Sequence, residues 1–315
     1  MVAGCLKLYD AGAFSVKPNL AAFLIYLETG RDVRFFPSLE AFSPYFVESS
    51  PAAVPQRVAE TLPFYETVPK IWNQSGMEAD LEALLKAPLD WQLVTAEPTV
   101  FVFHTHTTES YTRKNEPYGE VSPWRTLDPK YNMSALGAEL GRLLTAAGIS
   151  VAQDDTVHDH PGYNGSYIRA RKTLKTALEQ YPSVRLVLDL HRDAAGEGDR
   201  QLRPLAEKDG VTAAQIMLVV GTNHEQYQQN LSLALKLHAQ LERQFPGITR
   251  PLQLRSSRFN QDLHPGAILV EVGAAGNTHA EARAALEELA KAIIALRSGT
   301  EAKPSPEGED LGAAT

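Results

Sequence analysis

One cysteine, Cys5, in 315 residues excludes an intramolecular disulfide framework and any cysteine-rich zinc site. No run approaches the roughly 20 consecutive apolar residues that cross a bilayer as a helix. The best run, Leu20 to Leu27, is eight residues long and reads as a core helix. A surplus of basic charge is also missing: 30 Lys and Arg stand against 38 Asp and Glu, a net charge of -8. Phosphate backbones require a basic face, so this balance argues against nucleic acid as a partner. No complete signal peptide is visible, since the charged and apolar regions that precede a cleavage site are lacking. Val2-Ala3-Gly4-Cys5 nevertheless has the form of a truncated lipoprotein processing site.

What is present is ordinary globular composition, 43% hydrophobic and 22% charged, on a chain long enough for a large core. Residues 1–96 carry scattered aromatics and the prolines Pro18, Pro37, Pro44, Pro51, Pro55 and Pro63. They read as a helical or irregular N-terminal segment with one helix near Glu78 to Lys86. Residues 97–298 read differently. Short apolar, β-branched runs (99–103, 149–151, 184–190, 215–220, 267–272) alternate with helical patterns at 133–147, 166–181, 231–245 and 278–297. Ser166 or Asn164 is the expected cap of the second of these helices. Such alternation predicts an α/β domain, a mainly parallel sheet with helices on both faces. Residues 299–315, rich in Pro and Glu and poor in apolar side chains, read as a disordered tail.

The residues that carry chemistry fall at strand ends, where open α/β sheets bind ligands. His104-Thr105-His106-Thr107-Thr108-Glu109 follows the first strand of the domain, and His191-Arg192-Asp193 follows the strand at 184–190. Glu271 ends the strand at 267–272, and Gly221-Thr222-Asn223 follows the strand at 215–220. All four ends are expected around one crevice. His106 and Glu109, three residues apart, share a face if the segment turns helically, and His191 supplies a third donor. That is the ligand set expected for Zn²⁺ with one position open to water. His104 is the alternative member of the set, or a support behind it. Glu271, flanked by Ala267 to Val270 and by Val272, is costly to bury unless it serves a polar site.

Four segments, Phe101–Tyr111 (FVFHTHTTESY), Leu186–Ala194 (LVLDLHRDA), Val219–Asn223 (VVGTN) and Phe259–Thr278 (FNQDLHPGAILVEVGAAGNT), resemble in order the motifs of the stage II sporulation protein P family. The likeness covers about residues 98–298. It implies an amidase-like fold, related to zinc carboxypeptidases, and a zinc-dependent peptidoglycan hydrolase that cuts the N-acetylmuramoyl-L-alanine amide. It also implies an extracytoplasmic location and a glycan-cleaving partner enzyme in wall remodelling or sporulation. The usual N-terminal membrane anchor of the family is absent from the expected elements. On this reading His106 and His191 bind the metal and Glu271 is the general base for water attack. Arg192 meets either the developing oxyanion or a stem-peptide carboxylate, or is tied up by Asp189 or Asp193. Asn223, Asn260 and Gln261 are expected on the rim as substrate contacts or as loop caps. A carboxypeptidase-like peptidase and a metal-free wall-binding module are the competing readings.

Overall fold

The computed structural model describes residues 68–89, 91–113, 123–197 and 200–298. Seven strands form the main sheet in the order β1-β10-β9-β11-β4-β2-β3. They are β1 (Ile71–Asn73), β2 (Val100–Phe103), β3 (Val151–Gln153), β4 (Leu186–Asp193), β9 (Ile216–Gly221), β10 (Leu252–Arg255) and β11 (Ala267–Ala274). Between β4 and β9 lie two small antiparallel pairs, β5 (Gly196–Glu197) with β6 (Arg200–Gln201) and β7 (Leu205–Lys208) with β8 (Val211–Ala214). The described residues form five α-helices: α1 (Leu81–Lys86), α2 (Met133–Ala146), α3 (Ser166–Gln180), α4 (Tyr227–Gln244) and α5 (His279–Ala295). None is long and apolar enough to cross a membrane.

The expected α/β architecture is present, with one reversal that the sequence did not signal. β11, β4, β2 and β3 are mutually parallel, as are β9, β10 and β1, but β11 pairs with β9 antiparallel. Buried strands of a parallel and of an antiparallel pair carry the same apolar runs, so direction is not written in their composition.

Alternation along the strands divides the core in two. Val102, Leu188, Leu190, Ile268 and Val270 face the large cluster built with Leu136 and Leu140 of α2, Leu231 and Leu235 of α4, and Leu286 and Leu289 of α5. Phe101, Phe103, Val187 and Ala267 face the other way and pack under Ala170, Leu174 and Ala177 of α3. Three helices, α2, α4 and α5, therefore cover one face, with α1 packed on α4, and α3 covers part of the other. Beyond α3 that second face continues with Leu269, Met217 and Val219, capped by Phe259. The next side chains on the same face, two residues on from Val187 and Leu269, are Asp189 and Glu271, followed by His191.

Helix ends are set locally. Asn132 caps α2 by accepting from Ser134 N, and Thr278 with Glu281 forms a capping box on α5. The N-cap of α3 is Gly165 at φ 80°, in place of the expected Ser166 or Asn164. The left-handed conformation there favours glycine over a capping side chain.

The expected boundary at residue 96 falls inside the fold. β1 is an edge strand of the main sheet, paired with β10. Leu85 of α1, Trp91 and Leu93 belong to the large core, and Trp91 Nε1 donates to Leu296 O at 2.6 Å. A chain starting at residue 96 is accordingly expected to melt at least 10 °C lower than the full chain, or not to fold. Burial of each large apolar side chain contributes roughly 2–5 kcal/mol, and each kcal/mol moves the melting point by about 2–4 °C at this size. An unchanged melting curve would show that this region adds nothing to the core. The expected tail at 299–315 and the Cys5 motif lie outside the described residues.

Candidate active site

The segment after β2 is held by its threonines. Asp189 accepts from Thr105 N at 2.7 Å and from Thr105 Oγ1 at 2.6 Å. Thr107 Oγ1 donates to Thr156 O at 2.7 Å, and Thr108 Oγ1 donates to Asp159 at 2.6 Å. Every residue from His104 to Ser110 is buried. A polar run of this kind stays dry only because its donors and acceptors are paired. That pairing fixes the direction of His104, His106 and Glu109, which alternate with or flank the threonines.

His104 continues the alternation of Val100 and Val102 and so enters the helix-covered side. Its Nδ1 meets Leu190 O at 3.1 Å, while burial lowers its pKa to about 4. A Cβ on Gly137 of α2 would sit 2.6 Å from its Nε2, so the ring lies hard against that helix. His106 points to the second face. Its ring stands edge-on to His191, centroids 5.1 Å apart, and edge-on to Tyr167 at 5.5 Å. Tyr163 stacks on it at 4.6 Å. Replacing His104 by Ala should therefore lower stability by about 2–4 kcal/mol, as for a buried truncation that leaves a cavity. It should leave metal content intact. An emptied metal site in that variant, with metal retained in His106→Ala, would reverse the assignment.

Glu109 reaches the same place. Its Oε2 accepts from Arg192 N at 3.2 Å and lies 3.5 Å from His191 Nδ1, while its Oε1 lies 3.3 Å from Arg125 Nη2. Burial opposes its ionisation, but Arg192, His191 and Arg125 outweigh burial and hold the carboxyl well below the usual range. Asp189 contacts the far side of His191, Oδ1 to Nε2 at 2.9 Å, at an angle that makes no aligned hydrogen bond. Burial would lower the His191 pKa, yet Asp189 and then Glu109 raise it well above the ordinary value. His106, without such a partner in contact, is held well below the ordinary value by burial.

Glu271 is the register partner of His191 on the adjacent parallel strand. Its Oε2 is buried with no hydrogen-bond partner, and burial, then the charge of Asp193, pushes its pKa up to about 8. His106, Glu109, His191 and Glu271 are thus brought to one end of the sheet.

The remaining expected residues are placed elsewhere. Because β9 runs antiparallel to β11, Met217 lies beside Glu271 and the strand then leads away. Asn223 follows its far end, six residues beyond Met217 and about 20 Å along the strand direction. The expectation that four strand ends meet holds for three. Gln261 is spent on the backbone of β9, donating to Val219 O and accepting from Gly221 N, both at 2.9 Å. Asn260 donates to Tyr167 O at 2.9 Å. Both are loop fasteners. Arg192 points to the helix-covered side, where its guanidinium donates to Ser110 O at 3.1 Å and Trp124 O at 2.9 Å. It supports the segment that carries Glu109, and its Nη1 also lies 3.7 Å from Glu109 Oε1; Asp193 pairs with Arg250 at 2.7 Å.

Asp189, Arg125, Tyr163 and Tyr167 were not anticipated as site residues. Asp189 had a signal: a charged residue in VLDLH, two before His191, must share its face. Tyr163 and Tyr167 flank the opening turn of α3, four apart, which places them on one side of it. Nothing near Arg125 in the sequence points to Glu109.

No three of the His, Cys, Asp and Glu side chains among the described residues stand together at ligand distances. The fit of a metal therefore turns on the chemistry of the donors, and they fit. His106 Nδ1 is a buried nitrogen without a hydrogen-bond partner, and His191 presents Nδ1 to Glu109 at 3.5 Å while its Nε2 is turned to Asp189. His106 is held neutral and Glu109 ionised, the states in which each can ligate. His191 would release its proton on binding.

These features define an α/β protein with a buried His/Glu site at the carboxyl ends of three neighbouring parallel strands. The stage II sporulation protein P family model matches residues 48–294, and the chain belongs to that family. The match begins about 50 residues earlier than the motif resemblance, and it includes β1 and α1. Stage II sporulation protein P of Bacillus subtilis strain 168 is 30% identical over 207 residues, covering 62% of this chain and 48% of the relative. The chain thus spans about half the length of that relative. Among solved structures, the N-acetylmuramyl-L-alanine amidase Ami1 of Mycobacterium smegmatis is 14% identical with a TM-score of 0.39, covering 65% of this chain and 98% of that one. An N-acetylmuramoyl-L-alanine amidase of Clostridium difficile 630 is 16% identical with a TM-score of 0.35, covering 63% and 94%.

Proposed function

We propose that this chain is a zinc-dependent peptidoglycan hydrolase that cleaves the N-acetylmuramoyl-L-alanine amide, acting outside the cytoplasm in wall remodelling or sporulation. The observation that carries the reading is the arrival of Glu271, with a buried and unpartnered Oε2, beside His191, with His106 and Glu109 at the same sheet end. Family membership supports the substrate class. The bond is the one that the motif resemblance implies. On this reading a glycan-cleaving enzyme is the partner in wall degradation.

His106, Glu109 and His191 would hold the metal, which would polarise the amide carbonyl and acidify water towards neutral pH. Asp189 and the Arg192 N–H keep His191 and Glu109 in place. Glu271 accepts a proton from the attacking water and returns it to the departing L-alanine nitrogen. Burial fits it for both halves of that cycle, because a carboxyl with a pKa of about 8 is a far stronger base than an ordinary glutamate and readily holds the proton it takes. The catalytic unit comprises the sheet from β1 onward, because β1 and α1 belong to its core.

Digestion of purified sacculi with mass spectrometry of the products tests the bond. Stem peptides released with a free L-alanine amine, leaving intact lactyl groups on the glycan, are expected. Products shortened only at their carboxyl ends would replace this reading with a carboxypeptidase, and wall binding without cleavage or zinc would replace it with a binding module.

A further inference from the structure

Arg125 joins the two parts of the site that the chain delivers separately. Its Nη1 donates to Asp159 Oδ2 at 2.6 Å and to Thr108 Oγ1 at 3.2 Å, and its Nη2 donates to Glu109 Oε1 at 3.3 Å. The same guanidinium lies over the ring of Tyr163, with Cζ 4.6 Å from the centroid. Tyr163 in turn stacks on His106, 4.6 Å between centroids and 12° between planes. The Arg125 side chain is only 13% exposed, so these contacts are weakly screened.

We propose that Arg125 is a positioning residue that sets Glu109 and His106 relative to each other for a divalent cation, resting on the metal-site reading above. Glu109 Oε2 is already fixed by Arg192 N, and Oε1 lies 3.3 Å from Arg125 Nη2 and 3.7 Å from Arg192 Nη1, so that Arg125 makes the only hydrogen bond of the two to it. Tyr163 anchors His106 twice, with its Oη 3.0 Å from Nε2 and its ring stacked on the imidazole, which leaves Nδ1 without a hydrogen-bond partner. One planar, five-donor group can hold a carboxylate edge-on and lie on an aromatic face at once. A lysine ammonium, a point charge on a flexible stem, cannot do both. Asp159 offsets the charge of Arg125, so the pair adds little net positive charge where a cation would sit.

The competing role is purely structural: Arg125 as a tie between residues 123–126 and the Glu109 segment. Those segments are also joined through the backbone, by Ser110 N to Trp124 O at 2.9 Å and Thr126 N to Thr108 O at 2.8 Å. Arg125→Met keeps these bonds and much of the stem volume, so the fold should persist.

Zinc affinity by chelator competition, with metal-free melting and turnover measured on the same preparations, is the test. Arg125→Met is expected to weaken zinc binding by about 10–100-fold, the range for residues that orient ligands. Metal-free melting should fall by several degrees, because Asp159 and Glu109 each lose a buried partner, so affinity is read on the folded protein, and turnover should return in excess zinc. Affinity equal to that of the wild type would overturn the proposal while leaving the metal site standing. A wild type that takes up no zinc would overturn both. If Arg125→Met does not fold, Asp159→Asn removes the anchor beneath Nη1 without touching Glu109 or His106. It should weaken zinc in the same direction, and unchanged affinity there would overturn the proposal.

Discussion

Glu271→Gln is expected to keep the fold and the zinc while lowering turnover by roughly 10²–10⁴, the usual range for removing a general acid–base group. Shape is preserved, and the amide can neither take nor return a proton. The same variant carries a second signature in metal-free protein. The folded carboxyl has a pKa of about 8 against 4.5 for the ordinary group. Between these values the unfolded chain has released its proton and the folded chain retains it. Wild-type stability therefore falls as pH rises from about 4.5 to 8 and then levels, whereas glutamine contributes no such slope. The melting point of Glu271→Gln should gain on the wild type across that window by roughly 10 °C or more, since each pKa unit corresponds to about 1.4 kcal/mol and each kcal/mol to about 2–4 °C. Full turnover with normal zinc would remove Glu271 from the mechanism. Lost zinc would instead make it a ligand, and parallel pH curves would show that its carboxyl is ionised in the fold.

The sheet and its helices were legible because buried strands and amphipathic helices obey periods of 2 and 3.6, which residues 99–103, 184–190 and 133–147 display. β10 escaped because LQLR alternates over only four residues, and β1 because IWN is shorter still. Strand direction was not legible, and that single unknown displaced Asn223 from the crevice. Within the site, Glu109 and His191 were visible by spacing and strand position, and their contact at 3.5 Å joins segments 82 residues apart. Arg192 misled because a residue next to a site residue on a strand points to the opposite face. Of the two expectations for Asn260 and Gln261, the structure shows the loop cap. Phe259 and Asn260 adopt φ of 50° and 56°, and a turn of that shape consumes its own amides in holding itself to β9 and α3.

His106→Ala and His191→Ala should each abolish turnover and strip the zinc, yet they should differ in what remains. A catalytic metal site rests on about three protein ligands, and losing one leaves too few donors to retain the ion at ordinary concentrations. His191 also stands between two carboxylates, 2.9 Å from Asp189 and 3.5 Å from Glu109. Its removal leaves both with less compensation, although Asp189 keeps the donors of Thr105 and Glu109 keeps Arg125 and Arg192 N. His106 is held neutral and is packed by Tyr163 and Tyr167, so its removal costs packing without exposing a charge. Measured without metal, His191→Ala should therefore lose more stability than His106→Ala, by about 1–3 kcal/mol, the cost of leaving a buried charged group short of a partner. Added imidazole should enter the His106→Ala cavity and restore part of the zinc binding, since the aromatic walls on either side remain. Zinc retained at one ion per chain in both variants would place the metal elsewhere in the protein. Equal stability loss in the two would show that the carboxylates flanking His191 are already satisfied without it.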